Sequence, residues 1–359
     1  MSRVKFGDVV KDVKINIDRL NNPYEYYVAG DHMDSEDLTI HRKGCFTTDD
    51  VGPAFIRVFK PGQILYGSRR TYLKKIAVAD FEGVCANTTF VFETKDPHAF
   101  EQRLLPFIML SKDFTTWSIA KSKGSTNPYV LFSDLADFEF ELPPLEEQKV
   151  LVDKLWAAYR LKEAYKKLLV ATDEMVKSQF IEMFGTVENN THNFPIMTIG
   201  EFANCFAGAT PSTSHPEYWE NGRIRWMSSG EVHKGHVEDT DSRITELGYK
   251  SASTRMVPIH SIVIAIAGQG KTRGTVAITE VDLCTNQSLC AIVPDERVNY
   301  SYLYHNLQGR YLELRGLSGD VNGRGGLNLK IIQKIPVILP PIEKQQFASI
   351  AQQADKIKI

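Results

Sequence analysis

No stretch of this 359-residue chain is apolar for long enough to cross a bilayer, and Met1-Ser2-Arg3-Val4-Lys5-Phe6 carries no signal-peptide apolar region. A cytoplasmic protein without membrane contact is therefore expected. Cysteine is scarce: five residues, an odd number with no C-x-x-C pair, make neither a disulfide framework nor a zinc site. Cys85 and Cys284 are expected as buried apolar side chains. Charge of one sign is lacking too. A net charge of −2 and a pI near 6.5 announce no polyanion partner, although binding needs only a basic face. Catalytic constellations are also wanting, since no Ser/His/Asp or paired-carboxylate arrangement can be assembled from the spacing. The chain is not expected to be an enzyme.

What is present is a duplication. Leu142-Pro143-Pro144-Leu145-Glu146-Glu147-Gln148 returns 197 residues later as Leu339-Pro340-Pro341-Ile342-Glu343-Lys344-Gln345. That period is a whole domain rather than a solenoid unit. Upstream, Pro61 to Tyr66 answers Pro258 to Val263. Lys75 to Ala79 and Val84 to Thr88 answer Gly274 to Ile278 and Leu283 to Gln287. Between these runs the loops diverge, from Gly67-Ser68-Arg69-Arg70-Thr71-Tyr72 to Ala267-Gly268-Gln269-Gly270-Lys271-Thr272-Arg273. Two similar scaffolds with different loop chemistry point to bivalent recognition.

Each copy reads as α+β. Strands are expected over Phe55 to Phe59, Ile64 to Tyr66, Ile76 to Ala79 and Thr88 to Phe92, then a helix from Pro97 to about Ile119; the second copy has its helix near Tyr300 to Leu314. From Leu145 to Phe184 there are 40 residues without Gly or Pro, with Val152, Leu155, Tyr159, Leu168, Met175 and Phe180 at near-helical spacing and Gly185 as a C-terminal cap. This predicts one helix of roughly 60 Å, a spacer whose apolar stripe packs against partner helices. The expected divisions are 1–143 and 186–340 for the two domains, 144–185 for the long helix and 341–359 for a short C-terminal helix.

Two motifs mislead. Gly268-Gln269-Gly270-Lys271-Thr272 resembles a phosphate loop, but Ala265 stands where the first Gly is required, and the segment runs into a β-like stretch rather than a helix. Asn127-Pro128-Tyr129 lacks one proline of the adenine-methyltransferase segment, and no Gly-rich cofactor turn precedes it, so a turn is expected. His233 and His236 lack a ligand set and read as loop histidines. The remaining polar stock falls in loops at equivalent places: Arg69, Arg70, Tyr72, Lys74, Lys75, Lys121, Lys123, Ser125, Thr126 and Asn127 in the first copy, and Trp226, Ser228, Ser229, Gln269, Lys271, Thr272, Arg273, Asn322, Arg324 and Asn328 in the second. Such groups hold phosphates and read base edges.

The Leu-Pro-Pro-Leu-Glu-Glu-Gln motif, the helix end Lys177 to Gly185, the Gly124-Ser125-Thr126-x-Pro128 segment and the Ala-Gly-Gln-Gly-Lys-Thr-Arg-Gly loop together resemble the DNA-specificity subunit of type I restriction-modification enzymes, over essentially the whole chain. The resemblance implies two target-recognition domains in tandem, each reading half of a bipartite site in double-stranded DNA. It further implies helices that pack antiparallel as a coiled coil, set the gap between half-sites and dock methyltransferase (modification) subunits; a motor-nuclease (restriction) subunit can join. S-adenosylmethionine would be bound by the methyltransferase, leaving no cofactor in this chain. Family members usually carry a second helix comparable to the first, and here only about 18 residues follow Pro341. A protein-binding scaffold with incidental basic loops, or a nucleotide enzyme using Gly270-Lys271-Thr272, are the competing readings.

Overall fold

The computed structural model describes residues 2–268, 270–317 and 326–347. The chain divides into two units, Met1–Ala164 and Tyr165–Ile359, with the division inside the long helix.

In the first unit, strands Val10–Asp12, Thr89–Thr94, Ile64–Gly67 and Ile76–Val78 pair antiparallel in that order. Aromatic and β-branched residues suit a pleated surface, and one face of this sheet buries Ile64, Tyr66, Ile76 and Phe92 with Phe6 and Phe114. A smaller sheet, ordered Gly44–Cys45, Tyr26–Val28, Gly83–Ala86 and Phe55–Phe59, includes the parallel pair Tyr27 with Val84. The expected helix from Pro97 to about Ile119 is shorter and broken. Asp96 accepts the His98 N–H and holds Pro97 in a turn, so helix starts at Gln102 as a 3-10 turn leading into Leu105–Leu110. Ser111 interrupts it, its hydroxyl accepting the Phe114 N–H to cap Lys112–Ala120.

The second unit reuses the plan. Ala203–Ala207, Leu289–Pro294, Ile262–Ala265 and Val276–Thr279 pair antiparallel in the corresponding order, extended by the parallel strand His236–Val237. Ser242–Ile244, Ile224–Met227 and Cys284–Thr285 form its smaller sheet. The helix over Tyr300 to Leu314 is split into Tyr300–Gln308 and Tyr311–Gly316. Cys85 and Cys284 are fully buried on equivalent strands, and burial pushes both thiols up to about 12.

The repeated Pro-Pro motif has a physical cause. Gln148 is fully buried; its Nε2 donates to Pro143 O (2.7 Å) and Ala99 O (2.9 Å), and its Oε1 accepts from Glu101 N–H (2.9 Å). Gln345, equally buried, donates to Pro340 O (2.7 Å) and Arg297 O (2.9 Å) and accepts from Asn299 N–H (2.7 Å). In both copies one amide satisfies the carbonyl between the two prolines and ties it to the loop that precedes the unit's own helices.

The long helix spans Leu145–Phe184, 40 residues, with Glu146 and Glu147 favourably placed in the first turn. Gly185 ends it at φ +76°, its N–H returning to Ile181 O (2.7 Å). Val152 and Tyr159 are buried in the first unit's core, with Leu155 and Trp156 packed beside them, and Phe180 and Phe184 are buried in the second unit's core. This corrects the expected stripe: Val152, Leu155, Tyr159 and Phe180 face their own units, because each unit lacks a cover there. The exposed large apolar residues are instead Leu168 and Met175 together with Val150, Leu151, Leu161, Tyr165, Val170, Ile181 and Met183. Ile342–Lys344 is a single 3-10 turn and Phe347 is buried against Phe180 and Phe184. The remainder of the expected C-terminal helix lies outside the described residues. Among the described residues no helix is long and apolar enough to cross a membrane.

Candidate nucleic-acid interface

In the first unit the loop after Ile64–Gly67 is stitched to the Gly124-Ser125-Thr126-Asn127 hairpin. Arg70 N–H donates to Pro128 O (2.7 Å) and Val130 N–H to Ser68 O (3.0 Å), making Arg69 and Tyr129 direct antiparallel partners. Lys123 and Tyr129 exchange both backbone bonds, Lys123 N–H to Tyr129 O at 2.8 Å and the return at 3.0 Å. Ser68 Oγ donates to Thr88 O (2.5 Å), and Arg70 Nε donates to Asn127 Oδ1 (3.2 Å). Arg70 and Lys74 take left-handed backbone, φ 50° and 47°, so the 3-10 turn between them is held in a conformation that non-glycine residues adopt only when their surroundings impose it.

The cations divide by what they already bind. Lys74 pairs with Glu36 (2.5 Å) and holds that carboxyl below its usual range by hydrogen bond and charge; Lys75 donates to Gly30 O. Lys123 pairs with Asp134 (3.0 Å), whose partial burial works against its ionisation, yet Lys123 and the Leu131 N–H outweigh it and lower its pKa. Lys121 lies 4.8 Å from the Trp117 ring centroid. Arg69 is exposed and makes no ion pair among the described residues, while Arg70 is held by Asn127; Tyr72, Ser125 and Thr126 are exposed beside them. Of the expected contacts, Lys74, Lys75 and Lys123 are thus internally engaged.

The second unit keeps the base of this frame. Leu327 N–H donates to Ile266 O (2.9 Å), answering Val130 to Ser68, and Gly274 N–H to Ala265 O (2.9 Å) closes a hairpin into Val276–Thr279. No helix N-terminus follows Lys271-Thr272, so the loop lacks the donors of a phosphate cradle. Lys271 is exposed on the loop, its carbonyl accepting from Tyr311 OH (3.1 Å) and Thr275 Oγ1 (2.8 Å), and Thr272 Oγ1 meets His233 Nε2 (3.3 Å). Ser229 is half-buried. Two expected contacts, Trp226 and Arg273, are corrected. Trp226 is buried, its indole N–H donating to Ala209 O (3.0 Å), and Arg273 is only 4% exposed, because both side chains turn inward from strand and hairpin. Ser228 and Asn328 are occupied as helix caps, Ser228 by Glu231 and Asn328 by the Ile331 N–H (3.0 Å). Gln269, Asn322 and Arg324 lie outside the described residues.

Sequence reasoning passed over two features. Tyr129 stands 39% exposed beside Arg69, its aromatic character in a basic loop being the available signal. Tyr159 OH donates to Asp37 Oδ1 (2.6 Å) and accepts from Leu38 N–H (2.8 Å), clamping the Asp37 loop to the long helix; nothing in the sequence pairs residues so far apart. Burial and this bond push Tyr159 up to about 12. Among the described residues the group that could hold a metal is Asp37, His41 and Glu163, whose ligand atoms lie within 4.8 Å of one another. His236 instead pairs with Glu280 (2.7 Å).

The family model for the type I restriction modification DNA specificity domain matches residues 19–169 and again 192–359. The specificity subunit of the type I restriction enzyme EcoR124I/EcoR124II of Escherichia coli is 28% identical over 152 residues, 42% of this chain and 37% of that protein. The MjaIX specificity subunit of Methanocaldococcus jannaschii is 29% identical over 168 residues, 45% of this chain and 37% of its own length. The chain thus spans about a third of each of these relatives. The S subunit of the type I restriction-modification system from M. genitalium shares the fold, with a TM-score of 0.59 at 15% identity over 99% of this chain and 91% of that one. With both halves of its length matched by one domain model, the chain belongs to the type I restriction-modification DNA specificity family.

Proposed function

We propose that this chain is a non-catalytic, sequence-specific DNA-binding subunit of a type I restriction-modification system. Each unit reads one half of a bipartite duplex site, and the long helix sets the spacing and docks methyltransferase subunits. One observation supports the reading: the loops after the equivalent strands Ile64–Gly67 and Ile262–Ala265 accept a corresponding backbone bond at their base, Val130 N–H to Ser68 O and Leu327 N–H to Ile266 O, yet offer different exposed side chains, Arg69 in one and Lys271 in the other. Related loop bases with unequal tips suit two half-sites of different sequence. Methyl transfer and its S-adenosylmethionine belong to the partner methyltransferase, and a motor-nuclease subunit would add cleavage.

Purified chain mixed with methyl donor and DNA should transfer no methyl group, and adenine methylation should appear once a methyltransferase subunit is added. DNA binding should weaken steeply with salt, because released counterions drive it. Methyl transfer by the lone chain, or salt-independent binding, contradicts the proposal.

A further inference from the structure

We infer that Tyr129 is a specificity-determining residue of the first unit, acting with Arg69 as a two-pronged reader of adjacent base pairs; the inference rests on the DNA-binding reading above. The bonds Arg70 N–H to Pro128 O and Val130 N–H to Ser68 O flank the Arg69–Tyr129 pair, which makes it the non-hydrogen-bonded kind. Partners of that kind lie with Cα atoms about 4.5 Å apart and side chains on the same face. Tyr129 also pairs with Lys123, so Arg69, Tyr129 and Lys123 form a row across three adjacent backbone segments joined by single bridges.

Within that row Lys123 is tied to Asp134. Arg69 and the Tyr129 hydroxyl make no side-chain hydrogen bond among the described residues. Their backbones, by contrast, are fixed on both sides by the left-handed Arg70 and by Asn127, which accepts from Arg70 Nε. Two free tips on a fixed base, set about one base-pair step apart, suit a guanine read by the guanidinium and a neighbouring base pair met by the phenol ring. An apolar ring face suits a thymine methyl in particular.

The test is selection of bound sequences from a randomised duplex library by the full chain, comparing wild type with R69A, Y129A and Y129F. R69A should lower discrimination at one guanine about 5- to 150-fold. Y129A should relax the position next to that guanine and leave the other half-site untouched, while Y129F should keep the preference, since the ring makes the contact. If R69A relaxes its guanine but Y129A alters no adjacent position, or alters one in the other half-site, the pairing is wrong while the DNA-binding reading stands. If Y129F behaves as Y129A, the hydroxyl rather than the ring is the reader and the ring-contact assignment is overturned. A wild-type chain that selects no bipartite sequence removes the reading on which the inference rests.

Discussion

At the scale of single residues, the most consequential side chains are amides and hydroxyls that the sequence offers without explanation. Gln148 and Gln345 each replace water for one N–H and two carbonyls at a fully buried corner. Gln148→Ala should destabilise the first unit, and Gln345→Ala the second, by about 1–3 kcal/mol for the buried N–H each leaves unmet. Gln148→Glu should cost more than the alanine change, because a carboxylate cannot donate to Ala99 O and Pro143 O; urea unfolding of each variant measures the order. The Tyr159–Asp37 clamp predicts a pH dependence. Burial alone would raise the pKa of Asp37, but bonds from Tyr159, the Thr39 N–H and His41 outweigh it and lower the folded value. A depressed carboxyl contributes stability that is complete above its unfolded pKa of about 3.9 and is lost as pH falls through the lower folded value. Tyr159→Phe should therefore cost about 1.5–3 kcal/mol at pH 7 and progressively less below about pH 4. A loss independent of pH in that window would mean that packing rather than the charged bond holds the clamp.

At the scale of elements, the long helix was the most legible part of the chain. Forty residues without Gly or Pro, with Gly185 after them, fix its ends as Leu145–Phe184. Its faces were not legible, because Val152, Tyr159 and Phe180 have the same spacing whether they pack on a partner or on the chain's own domains, and the structure shows the latter. The strands were readable from their β-branched and aromatic runs, whereas the break at Ser111 and the delayed start at Gln102 depend on side-chain caps that compete with helix locally. The candidate site is a set of loops in the sequence, and which of their residues stay exposed was not legible there. A Lys or Trp in a loop does not reveal whether it turns inward, and Trp226 and Arg273 do so, while Lys74 and Lys123 find carboxylates distant in sequence. The proposed role of the helix as a ruler can be tested directly. Four residues inserted after Ala164 should lengthen it by roughly 6 Å and turn its far end by about 40°. The preferred gap between half-sites should change by about two base pairs, or binding should fail; gel-shift assays over a spacer series measure this. Charged substitutions at Leu168 and Met175, both exposed on the helix, should block association with the methyltransferase while leaving the fold intact by circular dichroism. Unchanged spacing at unchanged affinity would remove the ruler from the account.

At the scale of the whole molecule, one scaffold is used twice, and the proposed specificity lives in what each copy exposes. The most direct test is to sequence N6-methyladenine in the DNA of cells carrying the complete enzyme with wild-type, Arg69→Ala or Lys271→Ala chain. The wild type should methylate a two-part motif; Arg69→Ala should degrade the motif in one half only, and Lys271→Ala in the other half only. If either substitution altered both halves, or if each altered the same half, independent reading by two units would be contradicted.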